Sequence, residues 1–91
     1  MKKLYSFHWD CGRQGDVFGK FIATEAEVAA AIGAKIVFGE ILGKHSEIFG
    51  TLEDGDLKVL TDDQDFIEKF EKYVGKSVGH NPLNYIHENS N

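Results

Sequence analysis

Residues 3 to 9, KLYSFHW, alternate between two sets of side chains, and this pattern constrains the fold more than any other feature of the sequence. It predicts a β-strand whose faces differ, with Tyr5, Phe7 and Trp9 on one and Leu4, Ser6 and His8 on the other. Both faces are therefore available for packing. Residues 10 to 16, DCGRQGD, contain two glycines and predict a loop, after which VFGKFIA predicts a second strand.

Two helices are indicated further along the chain. Thr24 and Glu27 have the spacing of a capping box, in which each side chain accepts a hydrogen bond from the other residue's backbone N–H. A short helix is therefore predicted over residues 25 to 32, ended by Gly33. A longer helix is predicted over residues 61 to 75, TDDQDFIEKFEKYVG, because aspartates crowd its first turn, lysines follow, and apolar residues recur at helical spacing.

Residues 38 to 50, FGEILGKHSEIFG, read almost the same in both directions and predict a β-hairpin with its loop at residues 43 to 46. The symmetric register places Gly39 opposite Gly50. It gives the hairpin one apolar face, formed by Val37, Gly39, Ile41, Ile48, Gly50 and Leu52.

Phe38 and Phe49 share the opposite face of the hairpin in this register. The two facing glycines bring no side chains and leave a dip in the apolar face, which another group has to fill. A side chain, such as Phe66 or Phe70 from the long helix, is favoured over a flat ligand or a partner, because the residues around the dip are aliphatic.

The elements follow one another in the order ββαβββα, which predicts a small α+β domain with a mainly antiparallel sheet. Strands three to five are expected to form a meander, since an Asp-Gly turn leads from the hairpin into LKVL. The C-terminal helix is expected to pack on one face of the sheet, the same face as the first helix. Residues 1–79 form this domain, and residues 80–91 form a tail that docks on the domain or on a second subunit.

Composition restricts the class of partner. The net charge of −5 and the lack of any lysine- and arginine-rich stretch argue against duplex nucleic acid. No stretch approaches the roughly 18 consecutive apolar residues of a membrane span. The N-terminal residues lack the apolar core of a signal peptide, and the single cysteine, Cys11, fits a reducing compartment. These features predict a cytoplasmic protein, in the host cytoplasm if a phage encodes it.

Three polar residues, Lys44, His45 and Ser46, occupy the tip of the predicted hairpin. An ammonium group, an imidazole and a hydroxyl beside glycine amides suit an oxyanion such as phosphate, although a polar turn is also explained by solvation alone. Arg13, the only arginine, lies between two glycines in the first loop and suits bidentate phosphate contact. Trp9 offers a plane on which a base stacks. Strand order decides whether the two loops meet.

Catalytic motifs are weak in this sequence. GEILGK lacks the spacing of a P-loop, and no dinucleotide fingerprint occurs. Cys11 near His8 or His45 suggests a thiolate–imidazole pair, but no third group that would orient the imidazole is evident. The same residues together with Asp10 could be the four ligands of a metal ion, but the paired spacing that is typical of zinc ligands is absent. A small cysteine- or metal-dependent enzyme is therefore an alternative only, and no catalytic residue, metal or cofactor is predicted.

The sequence favours a non-enzymatic binding protein for a small anionic ligand, such as a nucleotide or a nucleotide-derived signal, that forms a homo-oligomer. Small acidic domains of this kind are typical of the sequestering and anti-defence accessory proteins of phages. The predicted ligand-binding residues are Trp9, Arg13, Lys44, His45 and Ser46. The alternative is an acidic inhibitor that occupies a basic nucleic-acid-binding surface of a host protein, through Asp54, Asp56, Asp62, Asp63 and Asp65.

Overall fold

The computed structural model describes residues 1–44 and 47–87. Within them the chain forms two helices and six strands, and the predicted class, a small α+β domain with a mainly antiparallel sheet, is confirmed. The strands are β1 Lys2–Asp10, β2 Asp16–Thr24, β3 Lys35–Gly39, β4 Ile48–Thr51, β5 Leu57–Thr61 and β6 Ser77–Gly79. The helices are α1 Glu25–Ala31 and α2 Gln64–Tyr73, and short 3-10 turns cover Gly12–Gln14, Asp54–Asp56 and Pro82–Tyr85.

The larger sheet contains four antiparallel strands in the order β5-β1-β2-β6. β1 and β2 pair along their whole length, with Tyr5 opposite Phe21 and Trp9 opposite Val17. The expected meander of strands three to five is wrong, because β5 pairs with β1 and not with β4. The turn Asp54–Asp56 carries the chain from the hairpin across to the larger sheet.

The smaller sheet is the hairpin of β3 and β4, and its register differs from the symmetric one. Gly39 lies opposite Ile48 and not opposite Gly50, and the pairing is irregular at Phe38. The φ angle of Gly39 is +80°, which is outside the extended region, so the strand ends there and the loop begins earlier than expected. The symmetry of the sequence therefore does not continue into the backbone pairing.

The main core lies between one face of the larger sheet, α1 and the smaller sheet. Its buried side chains are Tyr5, Phe7, Val17, Phe21, Ala23, Val28, Ala31, Ile36, Phe38, Ile48 and Leu52. The capping box at the start of α1 is confirmed, since the Glu27 N–H donates to the Thr24 hydroxyl at 3.1 Å and the Thr24 N–H donates to Glu27 Oε1 at 2.9 Å. The backbone hydrogen bond from Thr24 is the main cause that lowers the pKa of Glu27.

α2 lies on the opposite face of the larger sheet from α1, so the expectation that both helices share one face is wrong. Phe66 and Phe70 of α2 line a groove with Leu4 and Lys20, whose side chains alternate with the core residues of β1 and β2. Leu4 and Ile67 are buried on this side. Neither α1 nor α2 is long and apolar enough to cross a membrane.

Residues 80–87 follow β6, a strand that the sequence analysis did not predict, and run along the outer edge of β3. The His87 N–H donates to the Lys35 C=O at 2.8 Å, and the ring centroids of Tyr85 and Phe38 are 4.8 Å apart. An isolated antiparallel bridge joins the same segment to β3. The outer edge of β3 is thus covered, whereas β4 pairs with β3 alone among the described strands.

Candidate functional site

The loop after β1 and the loop after β3 lie side by side at one end of the molecule. A Cβ atom placed on Gly15 would lie 3.9 Å from Leu42 Cδ1, which is ordinary van der Waals contact. The 3-10 turn that contains Arg13 is therefore next to the segment that leads to Lys44. The tertiary structure brings together two loops that are far apart in the sequence.

The cations of the predicted site are accessible at this end. Arg13 and Lys44 are both exposed, and neither forms an ion pair with another residue of the described ranges. The other two predicted residues of the hairpin tip, His45 and Ser46, lie outside the described residues. The two accessible cations therefore belong to neighbouring loops.

Trp9 covers Gly50, which lies opposite Ile36 and not opposite a second glycine, so the predicted dip between two glycines does not form and the expectation of Phe66 or Phe70 as its occupant is wrong. A Cβ atom on Gly50 would lie 3.4 Å from Trp9 Cη2, which shows that the indole lies directly over this glycine. The indole also makes edge-to-face contacts with Phe7 and Phe38, at centroid distances of 5.3 and 5.4 Å. Trp9 is consequently held in a fixed orientation with only part of its ring accessible.

A hydrogen bond to Asp56 also holds the indole of Trp9 in place. Its Oδ2 atom accepts hydrogen bonds from Trp9 Nε1 at 2.8 Å and from the Glu53 N–H at 2.9 Å. A carboxylate that accepts two N–H groups binds each more strongly than a neutral acceptor does. This contact joins the turn before β5 to the end of β1.

We expect Asp56→Ala to lower the free energy of unfolding by about 2 kcal/mol, because two charge-assisted hydrogen bonds are lost and the indole N–H is left without its acceptor. Asp54→Ala is the matched control, since Asp54 carries the same charge in the same turn and no side-chain hydrogen bond joins it to another described residue. Urea unfolding followed by the fluorescence of the single tryptophan measures both variants. Equal stabilities for the two variants would contradict the role given to Asp56.

A cleft of about 320 Å³ opens beside the indole, and we call it the loop-end cleft. Its lining residues come from the end of β1 and from β4: Trp9, Asp10, Cys11, Ile48, Phe49, Gly50 and Thr51. Phe49 is 60% exposed, and Lys35 Nζ lies 5.6 Å from the centroid of its ring. The cleft therefore has an aromatic side chain on each wall and a cation close to one of them.

The backbone of β4 adds polar groups to the loop-end cleft. The Leu52 N–H donates to the Ala34 C=O at 3.0 Å and the Leu52 C=O accepts from the Gly33 N–H at 2.7 Å, so the polar groups of Leu52 point towards the β3 side. Successive residues of a strand direct these groups to alternate sides, so those of Thr51 and Phe49 point away from β3. Phe49 and Thr51 both line the loop-end cleft, so these groups lie close to it.

Sequence reasoning missed Phe49, Thr51 and Lys35 as members of this site. The symmetric register placed Phe49 with Phe38 on one face of the hairpin, and no motif surrounds any of the three. The alternation of residues 48 to 51 was the only available signal. It does not reveal that β4 lies beside the end of β1, because that placement follows from the packing of the two sheets.

The environment of Cys11 disfavours a thiolate. Partial burial raises the pKa of the Cys11 thiol, and the nearby carboxylates of Asp10 and Asp16 raise it further. His8 Nε2 lies 3.0 Å from Asp16 Oδ2, so this imidazole is engaged with a carboxylate on the other strand. Among residues 1–44 and 47–87 no three histidine, cysteine or acidic side chains are close enough to hold a metal ion.

The acidic residues of the alternative hypothesis are divided between two ends of β5. Asp54 and Asp56 precede this strand, whereas the other three, Asp62, Asp63 and Asp65, follow it. Five extended residues separate the two groups by roughly 17 Å. Asp63 also caps α2, since its carboxylate accepts from the backbone N–H of Asp65 and of Phe66. The folded chain therefore presents two small acidic groups and not one continuous belt.

Comparison of the chain with protein-family models, with curated proteins and with solved structures gives no match in any of the three.

Proposed function

We propose that this protein is a non-enzymatic binding protein for a small anionic ligand of the nucleotide type, which it holds at the loop-end cleft. The observation that carries the proposal is the proximity of Gly15 to Leu42, because the loop of Arg13 therefore lies beside the loop of Lys44. Neither cation lines the loop-end cleft, so in this proposal both reach from the neighbouring loops to the part of the ligand that projects out of it. A cation pair and an aromatic wall are the groups that bind a phosphate and a base.

The dimensions of the cleft favour a ligand of mononucleotide size. Ligand sites have volumes of roughly 300 to 1,000 Å³, and the value of about 320 Å³ is at the lower end of this range. In this arrangement the base contacts Trp9 and Phe49, and its amino groups donate to Asp10 or to carbonyl groups of β4. The phosphate extends outward to Arg13 and Lys44.

The charge distribution supports an anion close to Arg13 and Lys44. The molecule carries a net charge of −5, so an anion approaches it favourably only where cations are concentrated. Arg13 forms bidentate contacts that lysine does not, and Lys44 adds a mobile point charge. Binding at such a site needs no chemical step, which agrees with the raised pKa of the Cys11 thiol. The protein acts by holding its ligand.

A thermal-shift experiment with linear and cyclic mononucleotides and dinucleotides tests the proposal. A ligand at 100 times its dissociation constant stabilises the folded state by about 2.7 kcal/mol. For a domain of this size we expect the melting temperature to rise by about 10 to 20 °C. Calorimetric titration of each compound that raises the melting temperature gives the dissociation constant and the stoichiometry.

Charge-neutral variants locate the binding site. We expect Arg13→Gln and Lys44→Gln each to weaken binding at least about tenfold, because each removes a charge-assisted contact to the phosphate. Lys69→Gln is the control, since it makes the same charge change on α2, away from the cleft. A panel without any shift at saturating concentration, or a shift that Arg13→Gln and Lys69→Gln change equally, contradicts the proposed site.

A further inference from the structure

The face of the larger sheet that carries α2 is only partly covered. α2 packs over the end of the sheet near Leu4, and the remainder of this face carries both polar side chains, such as Ser6, His8 and Lys20, and apolar side chains in contact with solvent. Three of these apolar side chains are large and strongly exposed, namely Phe18 at 62%, Val78 at 47% and Leu60 at 42%, and Phe66 of α2 is 48% exposed beside them. We call the surface formed by these residues, together with Lys20 and Phe70, the open face.

Strand pairing shows how the residues of the open face are arranged. Lys20 lies opposite Val78 on β6, and opposite Ser6 on β1, so these side chains form one row across the sheet. Phe18 is two residues from Lys20 on the same strand and therefore points to the same side. A groove of about 460 Å³ joins this row to α2. Its lining residues are Leu4, Lys20, Leu60, Thr61, Asp63, Phe66 and Phe70.

The molecule is less compact than a spherical domain of its length. The radius of gyration is 13.6 Å, whereas a compact chain of this length has a value of about 12 Å. The smallest of the three principal extents is 21 Å. The largest extent is 41 Å, so the molecule is both elongated and thin.

Charges of opposite sign flank the apolar part of the open face. Lys20 lies on the sheet side of the groove, and Lys58 lies in the same row on β5, opposite Ser6. Asp63, which caps α2, lies on the α2 side of the groove. A partner of a single charge sign would match only one side of this surface. A second copy related by a two-fold axis matches both, because such an interface pairs residue i of one copy with residue j of the other and j with i.

We propose that the open face is a homodimer interface with two-fold symmetry. In the dimer Phe18, Leu60 and Phe66 of each copy are buried against the same residues of the partner copy, and Lys20 of each copy lies across from the partner copy's Asp63. Apolar burial provides affinity, and the two crossed charge pairs set the orientation. The proposal is independent of the ligand site, because the loop-end cleft is lined by other residues.

Sedimentation equilibrium over a concentration series tests the interface. The chain has a mass of 10.2 kDa, so the expected dimer has twice this mass. We expect Phe18→Asp to raise the dissociation constant of the dimer at least about 30-fold, because a charge replaces an apolar side chain near the interface centre. Phe18 is exposed in the monomer, so the circular dichroism spectrum of the variant should be unchanged. Tyr73→Asp is the control, since Tyr73 is exposed on α2 but does not line the groove.

The charge pairs are tested separately. Asp63→Asn keeps a good capping side chain on α2 but removes the charge, and Lys20→Gln removes the opposite charge. We expect each to weaken the dimer severalfold and to reduce its dependence on salt concentration. A protein that is monomeric up to millimolar concentration overturns the proposal and leaves the open face to a different partner. A dimer that Phe18→Asp and Tyr73→Asp affect equally overturns it as well.

Discussion

Replacement of Phe38 by alanine is expected to lower the free energy of unfolding by about 4 kcal/mol, since Phe→Ala substitutions in a core cost about 3 to 5 kcal/mol. The Phe38 ring is 6% exposed and is surrounded by other rings at centroid distances between 4.8 and 5.8 Å. These rings belong to Phe7, Trp9, His80 and Tyr85. The substitution therefore weakens the contact of the hairpin with β1 and with the C-terminal segment at once.

The melting temperature of this variant is expected to fall by about 15 to 30 °C. A domain of this length has a total stability of roughly 5 to 14 kcal/mol, so the loss is a large part of the whole. Urea unfolding, followed in parallel by far-UV circular dichroism and by Trp9 fluorescence, measures the effect. Coincident transitions from the two probes justify a two-state treatment.

Phe49→Ala is the matched control for Phe38→Ala. Both residues belong to the same hairpin, but Phe49 is 60% exposed, and its described ring contact is with the Lys35 ammonium group. We expect a loss within about 1 kcal/mol, which is the value of an exposed cation–π contact. The symmetric register places Phe38 and Phe49 on one face and so predicts similar effects for both. Similar losses for the two variants would therefore support that register and contradict the observed one.

Gly19→Ala is expected to destabilise the protein by about 3 kcal/mol, at the upper end of the usual cost of overpacking. A Cβ atom on Gly19 would lie 2.3 Å from the His80 C=O oxygen and 2.6 Å from the His80 N atom. These are backbone atoms, so no side-chain rotation removes the overlap. Residues 78 to 80 have to move away from β2, and the hydrogen bond from the His80 N–H to the Phe18 C=O is strained or lost.

Displacement of this segment also affects Phe38, because the His80 ring contacts the Phe38 ring at a centroid distance of 5.7 Å. Differential scanning calorimetry of Gly19→Ala should show a melting temperature lower by about 12 to 24 °C. Gly55→Ala is the control. No atom lies within 4 Å of a Cβ on Gly55, and its φ angle is outside the left-handed region, so the change should stay within about 0.5 kcal/mol. A Gly19→Ala variant as stable as Gly55→Ala would show that β6 and the following residues are not held against β2.

Features of the fold that depend on neighbours in the sequence were predicted correctly. The alternation of residues 3 to 9 is enough to predict β1, because burial of one strand face imposes a period of two. The capping box at Thr24 and the long helix depend on hydrogen bonds and side-chain contacts within a few residues. The interactions that form these elements lie within each segment, so the sequence of the segment is enough to predict the element.

The register of the hairpin could not be predicted from the hairpin residues alone. Its two arms are symmetric in sequence, and the symmetric register is the natural prediction from the arms alone. The observed register instead buries Phe38, because its ring fits between Phe7 and Trp9 of β1. A shift of one residue on a strand exchanges its two faces, so a contact from outside the hairpin decides which face is buried. The positive φ angle of Gly39 allows the strand to end where this register requires.

The candidate site, too, could be predicted only in part from the sequence. The chemistry of Arg13, Lys44 and Trp9 is evident from residue type and from the glycines beside the two cations. The proximity of Gly15 to Leu42, the position of the indole over Gly50 and the cleft beside it are not evident. They depend on how the smaller sheet packs on the larger one.

The sequence by itself determined the α+β class, the first strands, both helices, the acidic character and the scarcity of cations that any anion site has to use. The tertiary structure alone decided the pairing of β5 with β1, the register of the hairpin, the opposite placement of the two helices and the meeting of the two loops. The physical reason is the range of the interactions. Caps and periodic burial act over a few residues, whereas strand order and sheet packing are chosen by contacts between segments that are distant in the chain.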